Sequence, residues 1–242
     1  MPATYWLPLP DLDAPARVEH LHAAFSRWFD RSDTAITATG SGHHDNVKPY
    51  RLAPMSQHHG QWGAQVSILT QDAFHRLEQR ITQRSVVVLG NAKTLVGMPV
   101  VIGGEAWADL ARWPGERGWR VDFLTPFTTR TQSRSSPFPS PPVVLRAATD
   151  VWEKFSGHEA IRVPRESHRH LWVSDVDIST TTYTINGHRH PGALGSITYR
   201  ADNTEVARDA STLFRLAHYC GMGSFRGKGM GVVAVTPLLG QR

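Results

Sequence analysis

The order of elements in this 242-residue chain runs through twice, and that repetition constrains the fold more than any single motif. An apolar strand is predicted at Thr4–Pro8. Asp13 and Pro15 read as a helix start, and Val18, Leu21, His22, Phe25 and Phe29 then recur at helical spacing. After a polar loop over 30–47, strands are expected at Tyr50–Met55 and Gln61–Leu69. A helix capped by Thr70 or Asp72 carries Ala73, Phe74, Leu77 and Ile81, and Val86–Leu89 and Met98–Ile102 are further strands. A cluster of breakers, Trp113–Gly118, interrupts the chain, and the order begins again. Trp119–Pro126 is a strand, Pro142–Phe155 a helix, and Leu171–Ile185 and Gly195–Arg200 are strands joined through Asn186-Gly187. A helix from Asn203 to His218 and a last β-branched strand complete the copy. Two successions of β-α-β-β-α-β predict an α+β protein of two tandem ferredoxin-like, RRM-like domains, residues 1–114 and 115–242.

Between the last predicted helix and strand lies Cys220-Gly-Met-Gly-Ser-Phe-Arg-Gly-Lys-Gly-Met-Gly231. Glycine reaches positive φ without a steric penalty and lets another backbone come close. Such a run offers N–H groups to an anion, and Arg226 and Lys228 add positive charge. Helix, loop, strand is the reverse of the mononucleotide P-loop, and Gly229 stands where that motif has Ser or Thr. The dinucleotide fingerprint also opens a helix, so it is excluded on the same ground. A backbone-binding loop for a polyanion remains: Gly221, Gly223, Ser224, Arg226, Gly227, Lys228 and Gly229, with Arg130 and Arg134 from the Ser/Pro/Arg-rich loop over 128–142.

A net charge of +5 and a pI near 9.7 agree with a polyanionic partner. The single Cys220 excludes an internal disulfide framework and any cysteine-based zinc site. No apolar run approaches the roughly 20 residues of a membrane helix, and the start of the chain has no secretion signal. A cytoplasmic protein without membrane contact is the expectation. His168 with His170 and His188 with His190 sit at alternate strand positions, but neither pair has a carboxylate or cysteine set at tight spacing, so no metal and no cofactor is expected.

Three stretches resemble the CRISPR-associated precursor-RNA processing endoribonucleases of the RAMP superfamily. Phe123-Leu-Thr-Pro-Phe-Thr128 is similar to that family's Phe-Leu-Thr-Pro-Thr segment, and Pro191-Gly-Ala-Leu-Gly195 to its Pro-Gly-Phe-x-Gly strand. Cys220–Gly231 is similar to its glycine-rich loop. His44–Met55 is a weaker fourth likeness. The resemblance implies two ferredoxin-like domains that bind CRISPR repeat RNA and cut it without a metal, leaving a 2′,3′-cyclic phosphate and a 5′-hydroxyl. The alternative it implies is a non-catalytic subunit that binds guide RNA beside other subunits of an effector complex.

RNA carries its own nucleophile, the 2′-hydroxyl, so cleavage needs a base, an acid and a cation for the phosphorane. His44 and Lys48 lie four residues apart across a loop leading into a strand, and His43 is the other histidine at that place. Tyr50 is the group that would orient them; Tyr5, Arg27 and Arg31 are possible helpers by position. Arg165, Arg169 and Arg189 add cations to loops of the second half, while Trp152 and Phe155 at helical spacing read as core.

Overall fold

The structure, a computed structural model, describes residues 1–30, 47–132, 134–161, 169–185 and 187–238. It divides into two units, Met1–Glu105 with Gly227–Gly229, and Ala106–Arg226 with Met230 onward.

In the first unit β1 (Ala3–Pro8) lies centrally, antiparallel to β4 (Gln61–Ile68) on one side and β7 (Val100–Gly104) on the other. β2 (Tyr50–Leu52) and β3 (Ser56–His58) both pair with β4, giving the order β2-β4-β1-β7. This is the fourth-first-third-second arrangement of a ferredoxin-like sheet once the extra strands are set aside. α1 (Val18–Phe29) and α2 (Gln71–Thr82) supply Leu21, Phe25, Phe29, Ala73 and Leu77 to a core that also takes Leu7, Leu52, Val66 and Ile68 from the strands. Thr70 is the α2 cap, its hydroxyl accepting the Ala73 N–H at 3.2 Å. An extra hairpin, β5 (Val86–Leu89) with β6 (Ala92–Leu95), turns Val87 and Leu89 inward. Its second strand is short, half polar and held from outside by Asp11, whose carboxylate accepts from Leu95 N–H, so no pattern marked it.

α1 begins later than the sequence signals suggest. Asp13 and Pro15 stand outside it, and Arg17 takes the cap position without a side-chain bond. Tertiary contacts hold the preceding segment outside the helix: the Trp62 indole donates to the Asp13 carbonyl, and the Ala16 N–H donates to the Met55 sulfur. β2 also stops short of Met55, because Pro54 has no N–H to continue the ladder.

The second unit opens with a short helix α3 (Trp107–Leu110). Its sheet has the order β11-β12-β8-β13, built from β8 (Gly118–Phe127), β11 (Leu171–Ile185), β12 (His188–Ala201) and β13 (Val233–Pro237). The expected loop over 128–142 contains a small hairpin, β9 (Thr129–Thr131) with β10 (Arg134–Ser136). α4 (Pro141–Val144) runs into α5 (Arg146–Phe155), and α6 (Thr204–Cys220) is capped by Asn203, whose side chain accepts from the N–H of Glu205 and Val206. The core is aromatic: Trp119 stacks on Phe214 at 5.0 Å, Tyr199 packs beside the same ring, and Trp152 is buried against Trp107. β12 starts seven residues before the expected Gly195, because pairing with β11 carries straight through Pro191 and Gly192. Both units thus have the repeated βαββαβ order. No helix among the described residues is long and apolar enough to cross a membrane.

Candidate functional site

Where α1 ends, a carboxylate gathers two donors. Lys48 Nζ stands 3.0 Å from Asp30 Oδ1, and the Tyr50 hydroxyl donates to the same oxygen at 3.4 Å. The Asp30 and Lys48 side chains are 7% and 16% exposed, so the pair is mostly withdrawn from water. Tyr50 is a core residue, 2% exposed, its ring against Phe29 at 4.7 Å. Burial, and then the Asp30 charge, push its phenol well above the usual tyrosine range, so it is a fixed donor and not a base. It meets Lys48 only through Asp30. His43, His44 and Arg31 lie outside the described residues. Of the helpers, Tyr5 is stacked on Phe74 of α2, its phenol pushed up by burial and then by Glu78, and Arg27 is exposed on α1.

The glycine-rich stretch is bound into the fold more tightly than its composition suggests. Within the second unit Gly221 closes α6, donating its N–H to Ala217 at 2.8 Å. Met222 donates to Gly231, Ser224 to Thr128 at 2.7 Å, and Gly231 to Pro126. These four N–H groups are therefore spent on α6, the β8 end and the loop itself. Gly223 has φ 76°, and a Cβ there would strike the Thr128 carbonyl and crowd the Phe127 ring. Its glycine is a demand of the fold.

Gly227 differs. It has no positive φ, and among the described residues an added Cβ would meet only the His22 imidazole of α1, at an ordinary 3.8 Å. Lys228, beside it, is half-buried, and Gly229 packs on Val18 and Pro54.

Around the rest of the loop the second unit assembles cations and aromatic rings. The Arg130 N–H donates to Ser224 Oγ at 3.0 Å while its guanidinium holds the Gln132 carbonyl. Arg130 and Arg134 are both exposed. His190 lies 3.3 Å from Ser135 Oγ through Nδ1 and 4.7 Å from the Phe225 ring, and Phe225 itself is held at φ 60°. Arg226 donates to the Cys220 carbonyl and, with Arg146, opposes the burial that pushes the Asp150 carboxyl up. Ser135, His190, Phe225 and Asp30 were not singled out for these roles from sequence. Each acts through a partner distant in the chain, and spacing carries no signal of that.

The two histidine pairs go separate ways. His170 binds Asp202 at 2.8 Å, His190 sits at the loop, His188 and Arg189 are exposed, and His168 and Arg165 lie outside the described residues. Among the described residues no group of three or more His, Cys, Asp or Glu is placed to hold a metal ion.

Residues 121–233 match the family model of the CRISPR-associated endoribonuclease Cas6. Over this stretch, a little under half of the chain, the sequence is similar to the Cas6 family. The match takes in Arg130, Arg134 and the glycine loop; Asp30, Lys48 and Tyr50 fall outside it. A Cas6 product complex has the same fold, with a TM-score of 0.79 at 22% identity over 97% of this chain and 99% of that one. Thermus thermophilus Cas6 gives 0.72 at 22% identity over 98% of each chain. The product of a Cas6-related gene from Pyrococcus furiosus gives 0.62 at 11% identity over 98% of this chain and 99% of that one. No curated protein matches in sequence.

Proposed function

We propose that this protein is a Cas6-type endoribonuclease that cleaves CRISPR repeat RNA without a metal, leaving a 2′,3′-cyclic phosphate and a 5′-hydroxyl. The observation that carries the reading is the family match over 121–233, which contains the glycine loop and both exposed arginines of the β9–β10 hairpin. Similar structures include a Cas6 with a substrate mimic and a Cas6 mutant with one histidine replaced by alanine. The RNA's own 2′-hydroxyl attacks the adjacent phosphorus and the P–O5′ bond breaks, while His44, or His43 beside it, takes the proton from the 2′-oxygen or gives one to the leaving 5′-oxygen, and water exchanges the other proton. The Lys48 ammonium stabilises the charge gathering on the phosphorane. Gly227 and Lys228 hold the RNA backbone, and Arg130 and Arg134 of the second unit supply further phosphate contacts. Residues 1–114 supply the chemistry in this reading and residues 115–242 most of the binding.

The second reading is a guide-RNA-binding subunit of an effector complex that does not cut. One observation favours it: the matched stretch covers the binding residues and none of the proposed catalytic ones. Incubating the pure protein with its repeat RNA in EDTA separates the two. Cleavage at one position, abolished when a deoxyribose stands 5′ to the scissile phosphate, is the expected result. Tight binding without cleavage means the subunit reading, and cleavage that returns only with added Mg²⁺ or Mn²⁺ rejects the mechanism.

A further inference from the structure

We infer that Asp30 is the positioning residue for Lys48, holding the ammonium where the scissile phosphate arrives. The inference rests on the reading of Lys48 as the phosphorane-stabilising cation.

Helix stability does not explain an aspartate at this place. Asp30 is the C-cap of α1, its N–H donating to Ser26 at 2.7 Å, and a helix C-terminus carries partial negative charge. Cations are the favoured residues there, and one is already present: Arg76 of α2 donates to the Phe29 carbonyl at 2.7 Å. A carboxylate added beside those carbonyls is an electrostatic misfit unless something answers it. A mostly buried ion pair is in turn weak evidence of stabilisation, because desolvation of both charges offsets their attraction.

The arrangement does explain a lysine held still. Lys48 donates to Asp30 Oδ1, and the Tyr50 hydroxyl binds the same oxygen. The Tyr50 ring is fixed by burial and by Phe29, so the phenol orients the carboxylate, and the carboxylate orients the ammonium. A lysine stem has four rotatable bonds, and restraining it before RNA binds removes that disorder from the reaction itself. An ammonium has three donors, so the bond to Asp30 is compatible with a bond to phosphate.

The test compares single-turnover cleavage and repeat-RNA affinity in Asp30→Asn, Lys48→Ala and the double variant. Asp30→Asn is expected to lower the rate roughly 10- to 100-fold, the scale of a small misplacement, and to change affinity less than about twofold. In the Lys48→Ala background Asp30→Asn is expected to slow cleavage little further, because a positioning residue acts on the reaction through the side chain it positions. Asp30→Glu, which keeps the charge and moves it, is expected to fall between wild type and Asp30→Asn, and it gives the same comparison if Asp30→Asn fails to fold. Multiplying losses in the double variant, or full activity in Asp30→Asn, would overturn the proposal while Lys48 keeps its role. Full activity in Lys48→Ala would overturn the reading of Lys48 and this proposal with it.

Discussion

The imidazole of His22 lies 3.8 Å from the place a Cβ on Gly227 would occupy, and nothing else among the described residues beyond its chain neighbours comes within 4 Å of that place. Gly227 also lacks a positive φ. The fold therefore tolerates a methyl group there, and a requirement for glycine would have to come from a ligand. Gly227→Ala is expected to melt within about 2 °C of wild type, the shift of well under 1 kcal/mol in a chain this size, and to bind repeat RNA about tenfold more weakly. Unchanged affinity in the folded variant would make the tip of the loop scaffold.

Gly223→Ala is expected to fail in the opposite way. Its Cβ would press on the Thr128 carbonyl at a φ of 76°, a backbone conformation that alanine adopts only with strain. A loss of ~1–3 kcal/mol is the expected scale, read as a lower melting temperature. RNA affinity of the fraction that stays folded is expected to hold.

The doubled element order was legible because both copies bury one helix face and one sheet face. Leu21, Phe25 and Phe29 on α1, and Leu213, Phe214 and Ala217 on α6, all sit where the 3.6-residue period puts them. What escaped the pattern depended on partners in other elements. Asp13 and Pro15 signal a helix start locally, yet contacts from Trp62 and Met55 hold that segment outside the helix. Pro191 and Gly192 look like breakers, yet β11 pairs through them. The site was legible to the same degree. Lys48 and the glycine loop stand out by composition, whereas Asp30 follows a helix inconspicuously and acquires meaning only once Lys48 and Tyr50 reach it.

Of the two adjacent histidines, His44 is expected to carry a proton in cleavage. His44→Ala is expected to slow single-turnover cleavage by roughly 10²–10⁴, the span of a lost general acid or base, with RNA affinity little changed. The same loss in His43→Ala with an active His44→Ala would move the role by one residue. Two active variants would reject histidine chemistry at this place.

Stability is expected to fall in alkali. Burial holds the Tyr50 and Tyr199 phenols well above the ordinary tyrosine range, and Tyr199 also donates to the Pro139 carbonyl at 2.6 Å. A group whose folded pKa is raised favours the fold fully below its unfolded value. Above about pH 10 the unfolded chain loses these protons while the native chain keeps them, so stability declines as pH rises. Urea melts at pH 8, 10 and 11 are expected to show that decline, and Tyr199→Phe is expected to flatten it. Because the variant also removes a hydrogen bond worth about 1 kcal/mol, its melt at pH 8 sets the baseline. An equally steep decline in Tyr199→Phe would place the alkaline sensitivity elsewhere.

Arg134 and Arg130 separate a contact made with RNA from one made within the protein. Arg134 is exposed on β10, whereas the Arg130 guanidinium already holds the Gln132 carbonyl and its N–H holds Ser224. If Arg134 neutralises one RNA phosphate, Arg134→Ala is expected to weaken every repeat variant alike and to reduce the slope of log affinity against log salt by about 0.7–0.9. Arg130→Ala keeps the N–H bond to Ser224 but releases the Gln132 carbonyl. It is expected to reduce the slope by the same amount only if the guanidinium turns from Gln132 to phosphate in the complex. Affinity titrations between about 50 and 200 mM salt read both slopes directly. A wild-type slope in Arg134→Ala would take the β9–β10 hairpin out of the RNA path and leave Lys228 as the cation beside Gly227.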